Sequence, residues 1–275
     1  MDYLEGRKRL LGSKFCEDIK IHLSNLNSSN WPTCQELNRL VAQQSAPIVN
    51  SNGADINFVP QLERPKVFEA GFEQRTFLTG EVQVRPQNWH DLLNALVWLL
   101  FPRSKAALNA RHFAVLQNDA ARGRSPQGDA LTIFDEDGVI VVSRNPGLTR
   151  LLRDFKWVEI FYESRGEVMQ DMSFSIFGHA LLEKSMNPYV GMTGKALILE
   201  HPVGEIVACS VLSTAVIDAE LSQMIPNREL FSSGRNFSPL PMLGLPGCWE
   251  GNEQLEFFLN DSYFRPQNSG KKAWE

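Results

Sequence analysis

The segment WHDLLNALVWLLFPRSKAALNARH, residues 89–112, constrains the fold more than any other stretch. Its apolar run from Leu92 to Phe101 is interrupted by Asn94 and is about half the length of a membrane span, so it calls for a protein core rather than a bilayer. Asn88 can cap a helix from Trp89 to about Leu100. Phe101-Pro102 interrupts it, and Pro102 is placed to open a second helix over Arg103 to Gln117. On the first helix His90, Asn94 and Trp98 stand four apart and share a face, while Leu92, Leu93, Leu96 and Leu100 cover the opposite side. On the second, Lys105, Asn109 and His112 form another polar stripe. If the helices pack as a hairpin, the stripes converge and offer imidazoles, carboxamides, an ammonium and the nearby carboxylate of Asp91 to a polar ligand. The same stripes would equally serve as the water-facing sides of amphipathic helices, with Asp91 complementing the helix dipole.

The flanking sequence predicts a helix-rich α+β protein with a β-hairpin or small antiparallel sheet. Residues 1–57 form a helical and loop arm, with helices expected over Leu4–Leu26 and Cys34–Gln44. Thr33 and Glu36 have the spacing of a capping box for the second. Residues 58–275 form a single α+β domain. FEQRTFLTGEVQVR alternates around Thr79-Gly80 and predicts a hairpin or strand pair, and ALTIFDEDGVIVV predicts a hairpin around Glu136-Asp137-Gly138. Helical patterns return at Leu148–Ser164, Gly178–Met186 and Val203–Met224, with the strand-like KALILEH between the last two. The Pro-, Gly- and aromatic-rich stretch from Phe237 to Pro266 is expected to wrap the body as ordered loop.

Several function classes are disfavoured. The 275 residues carry 27 basic and 32 acidic side chains, a net charge of −5, which argues against a coat for long nucleic acid. Cys16, Cys34, Cys209 and Cys248 have no metal-finger spacing. The N-terminus lacks the apolar stretch of a signal peptide, so a cytoplasmic protein with reduced thiols is expected. Hydrolase, nucleotide and dinucleotide signatures such as G-x-S-x-G, the P-loop and G-x-G-x-x-G do not occur.

Two further elements could carry chemistry. In FGHALLEK, His179 and Glu183 lie four apart on a predicted helix, a spacing that suits shared metal ligation or an acid–base pair, or an ordinary hydrogen-bonded pair. Between residues 101 and 128, Arg103, Lys105, Arg111, Arg122 and Arg124 face a single acid, Asp119. Arg122 and Arg124 flank Gly123 in a loop that could close over a phosphate or carboxylate, or pair with the acidic turn that follows. Asp135 and Glu136 are assigned to that turn.

Taken in order, WHDLLNALVWLLFPRSKAALNARH, DALTIFDEDG, FGHALLEK and LPMLGLPGCW resemble the proteobacterial domain-of-unknown-function family numbered 3025, over roughly residues 58–266. The resemblance implies a bacterial cytosolic protein with one domain spanning these motifs, and no established activity. It places His90, Asp91, Asn94, Lys105, Asn109, Asp129, His179, Glu183 and Lys184 inside the recognisable motifs. The expectation from the residues is a hydrolase-like enzyme for a small polar or anionic substrate. His90, Asp91, His179 and Glu183 would be catalytic. Asn94, Lys105, Asn109, His112, Arg122 and Arg124 would bind substrate, and a divalent metal, if used, would sit on His90, His179 and Glu183. The alternative is a non-catalytic module binding a nucleotide-like ligand, RNA or a partner protein.

Overall fold

The hydrophobic periodicity around Pro102 builds two successive helices whose shared core organises the rest of the chain. In the computed structural model, which describes residues 1–61, 67–119, 125–201 and 212–266, these are α5 (Trp89–Leu100) and α6 (Pro102–Asp119). The Asn88 side chain accepts from the Asp91 N–H at 3.0 Å and caps α5. Asp218, from α11 (Thr214–Met224), accepts from the Arg103 and Ser104 N–H groups at 3.0 and 2.8 Å and supplies the same service to α6.

The N-terminal 57 residues fold as α1 (Tyr3–Gly12), a 3₁₀ turn at Lys14–Ile19, α2 (Lys20–Ser24) and α3 (Cys34–Ala42). The expected long first helix is therefore broken at Ser13, whose extended backbone and side chain restart the chain by accepting from Phe15 N–H. Thr33 and Glu36 make the predicted capping box of α3. Leu10, Ile19, Leu23, Leu37 and Leu40 belong to the same buried cluster as Trp98, Phe101 and Phe134.

Two expected hairpins are absent. Residues Phe72–Thr79 form α4, ended by Gly80 at φ 76°, and β2 (Glu81–Val84) pairs in parallel with β1 (Asn57–Pro60). Gly80 thus stops a helix instead of turning a hairpin, and a Cβ there would collide with the Asp55 carbonyl. Likewise ALTIFDED belongs to α7 (Pro126–Asp137), with Ser125 as N-cap and Pro126 at the first turn, and β3 (Gly138–Ser143) leaves it directly. The β-favouring residues are overridden by burial of Phe134 against Phe177, Phe231 and Phe237, with ring centroids 5.0–5.5 Å apart.

The expected Leu148–Ser164 helix divides into α8 (Pro146–Arg153) and a π-helical turn at Glu159–Glu163, separated by Phe155 at φ 57°. Then follow α9 (Arg165–Asp171), the unforeseen strand β4 (Met172–Ile176), α10 (His179–Lys184), β5 (Thr193–Glu200), α11, β6 (Ser238–Pro241) and α12 (Leu255–Phe258). The first part of the expected Val203–Met224 helix lies outside the described residues. The main sheet has the order β4-β3-β5-β6 and is mixed rather than antiparallel, because β3 and β5 run parallel. The fold is α+β. Among the described residues no helix is long and apolar enough to cross a membrane.

Candidate functional site

Three helices bring imidazoles and carboxylates to one point. His90 lies in the first turn of α5, Glu136 in the last turn of α7, and His179 opens α10. Close approach of the backbone at Gly178 makes the meeting possible: its N–H donates to the Gly138 carbonyl at 2.8 Å, and a Cβ would fall within 2.6 Å of the Asp137 nitrogen. His90 Nε2 and His179 Nε2 are 3.0 Å apart. Glu136 sets one oxygen 3.8 Å from His90 Nε2 and the other 3.8 Å from His179 Nε2.

A second ring of groups stands behind these. His90 Nδ1 is 3.3 Å from Glu183 Oε2, so Glu183 orients the far side of the ring and does not join the two Nε2 atoms. His179 Nδ1 faces Asp135 Oδ2 at 3.9 Å, and the other Asp135 oxygen accepts from Lys105 Nζ at 2.5 Å. Lys184 is engaged by Asp137 at 2.6 Å. His179 is buried while His90 and Glu136 are partly open, so the cluster has one wet side.

The electrostatics follow from this burial. Desolvation pushes the His179 imidazolium down to about 4, only partly opposed by Asp135, so the ring is neutral at pH 7. Burial also pushes the Asp135 carboxyl up, but the Lys105 charge and hydrogen bond, joined in acid by the His179 and His112 rings, outweigh it and hold Asp135 at about 2. Glu136 is raised, chiefly by burial, with His90 opposing.

The remaining expected site residues are placed differently. The α5 and α6 polar stripes face inward: Asn94, Lys105, Asn109 and His112 are all buried, which rejects the water-facing alternative. Lys105 spends its charge on Asp135 and is not available to a substrate anion. Asn109 donates to the Glu73 backbone carbonyl and carboxylate at 2.9 and 2.7 Å. Trp98 Nε1, Asn109 Oδ1 and His112 Nε2 are buried without a hydrogen-bond partner among the described residues, and these residues help line a cavity of about 10 Å³ that also touches Glu73 and Asp135. Its size and polar lining suit one buried water. Asp91 turns away to pair with Arg85 at 2.7 Å, an ion pair that sequence reasoning did not foresee, while its place in the first turn of α5 fits the helix-dipole role weighed against catalysis. Arg122 and Arg124 lie outside the described residues.

The groups of this cluster that sequence reasoning missed are Asp135 and Glu136, assigned there to a turn. The available signal was Ser125-Pro126, an N-cap followed by Pro at N1, which starts a helix and carries both acids onto its last turn.

Donor atoms of His90, Glu136 and His179 all lie within 4.8 Å of one another, as do those of Glu73, His112 and Asp135. In the second set the Lys105 ammonium already supplies the cation that Asp135 needs. In the first set no lysine or arginine ion-pairs with a donor among the described residues, although the Lys105 charge acts on both Glu136 and His179; the set presents two imidazoles and one carboxylate, donors that suit a divalent ion with open positions. No curated protein and no solved structure matches the chain. A family profile described as a protein of unknown function (DUF3025) matches residues 56–268, which include all three of these donors, and the chain belongs to that family.

Proposed function

We propose that the protein is a hydrolase-like enzyme acting on a small polar or anionic substrate at a divalent-metal centre formed by His90, His179 and Glu136. The observation that carries this reading is the 3.0 Å approach of the two Nε2 atoms with a carboxylate oxygen 3.8 Å from each. One imidazole has the support that fixes metal-binding rings, since Glu183 meets His90 Nδ1 at 3.3 Å; Asp135 stands 3.9 Å from His179 Nδ1, which has no hydrogen-bond partner among the described residues. A divalent ion held there would polarise a carbonyl or phosphoryl oxygen and lower the pKa of water. The chain's own part is to keep His179 neutral by burial, to orient the His90 ring through Glu183, and to leave the His90–Glu136 side open to substrate.

Elemental analysis of the purified chain tests the reading. The expected result is about one divalent ion per chain, lost in His179→Ala and Glu136→Gln. Hydrolysis of a panel of esters and phosphoesters is expected to be abolished by chelation and restored by the ion. A metal-free protein that stays metal-free after incubation with zinc and manganese would overturn the metal centre. It would leave the hydrogen-bonded His90–His179 pair as an acid–base device.

A further inference from the structure

A groove of about 1070 Å³ opens over one face of the β5–β6 pair, built by residues separate from the His90–His179–Glu136 cluster. Strand geometry defines its floor. Thr193 pairs with Pro241 and Lys195 with Pro239, so these four alternate residues share one face. The intervening Gly194 faces the other way, toward Val139, Leu181 and Met242 of the core. Helix α7 borders the groove through Ile133, and the segment around Trp157 borders it as well.

Its chemistry is unlike that of the rest of this acidic protein. Lys195 rises from the floor, Arg235 comes from the 3₁₀ turn Gly234–Asn236, and Arg265 lies beside Trp157, whose Nε1 donates to the Arg265 carbonyl at 2.8 Å. None of the three cations forms an ion pair among the described residues, while Asp129, also on the lining, already has a partner. The apolar part is an aromatic platform. Phe155 lies parallel to buried Trp157 at 5.4 Å and 8°, and Trp157 continues onto Phe161 at 6.1 Å and 8°. Phe155 takes φ 57° as the left-handed residue that closes α8, where its N–H donates to the Leu152 carbonyl at 3.2 Å and the Lys156 N–H to the Leu151 carbonyl at 2.9 Å.

We propose that this groove binds a nucleoside phosphate, with Lys195, Arg235 and Arg265 taking the phosphates and the base stacking on the Phe155 platform. Three cations without an ion pair among the described residues call for a multiply charged anion, and a flat ring platform on the same groove calls for a planar body on that anion. The volume is that of a large ligand pocket. This site does not depend on the metal centre proposed above.

Titration calorimetry on the full chain tests it with ADP, adenosine and pyrophosphate as probes. ADP is expected to bind more tightly than either fragment. Arg235→Gln and Arg265→Gln, both exposed positions that leave the fold intact, are each expected to weaken ADP by about tenfold, the loss of one charge-assisted hydrogen bond. Phe155→Gly, which suits the left-handed backbone while removing the ring, is expected to weaken ADP and leave pyrophosphate unchanged. Glu136→Gln is expected to bind ADP as the unaltered chain does. The proposal is overturned if ADP shows no binding at about 1 mM. Equal ADP affinity in the Arg235→Gln/Arg265→Gln double variant, or loss of ADP binding in Glu136→Gln alone, would overturn it too. Pyrophosphate binding as tightly as ADP would remove the ring from it.

Discussion

Replacing Lys105 by Met keeps the volume of a side chain that is 4% exposed and removes only its charge and hydrogen bond. Asp135, whose side chain is 12% exposed, is then left in the interior without its principal cation. In the intact protein Asp135 sits at about 2 against an ordinary 3.8, a preference for the ionised form of about 2 kcal/mol. Because the folded pKa is depressed, that stabilisation is present above pH 3.8 and is lost as pH falls through 2. Without Lys105 the desolvation of Asp135 is opposed only by weaker partners, so its pKa is expected to rise above 3.8 and the sign of its contribution reverses. Breaking a buried pair from one side costs about 3–5 kcal/mol, and the lost contact of the ammonium with the Trp98 ring at 5.7 Å adds to it. Urea denaturation at pH 7 is expected to show that loss, and the deficit relative to the unaltered chain should shrink as the pH is lowered toward 4.5. The Lys105→Met/Asp135→Asn double variant should recover part of it. A deficit under about 1 kcal/mol, or one that does not change with pH, would refute the assignment of Lys105 as the counter-charge of Asp135.

Three other outcomes follow from the same geometry. Gly178→Ala would drive a Cβ into the Glu136–Gly138 backbone, so thermal denaturation should show a loss of about 1–3 kcal/mol together with weakened metal retention; an unchanged midpoint would contradict the close approach. Asp91→Asn should leave metal content and hydrolysis intact and cost no more than about 1 kcal/mol, since Asp91 serves a half-exposed Arg85; loss of activity would return it to the catalytic set. Burial pushes the Cys16 and Cys248 thiols up to about 11, so at pH 8 both should react with iodoacetamide about a hundredfold more slowly than a free thiol, as read by mass spectrometry of the labelled peptides.

Much of the candidate site was legible because helical spacing is local. His90, Asn94 and Trp98 at intervals of four, and Lys105, Asn109 and His112 after a proline break, had to lie on single faces once those segments were helical. Their polarity alone could not choose between water and the interior. Phe72–Thr79 and Ala130–Asp137 were misread because both contain β-favouring residues ahead of a glycine, and glycine ends helices as readily as it turns hairpins. That error hid Asp135 and Glu136, which matter only as residues of a helix end.

The amino-acid sequence by itself determined the α5–α6 break, the caps at Asn88 and Thr33, and the placement of two imidazoles at helix starts, since each depends on neighbours within one turn. The tertiary structure decided which carboxylate meets them. Glu183, four residues from His179, turns to the outer nitrogen of His90, while Glu136, forty-three residues away, reaches both Nε2 atoms. It does so because burial of Phe134 with Phe177, Phe231 and Phe237 seats α7 against α10, and the bare backbone of Gly178 lets the two come close enough. Those contacts join segments far apart along the chain, and no local pattern records them.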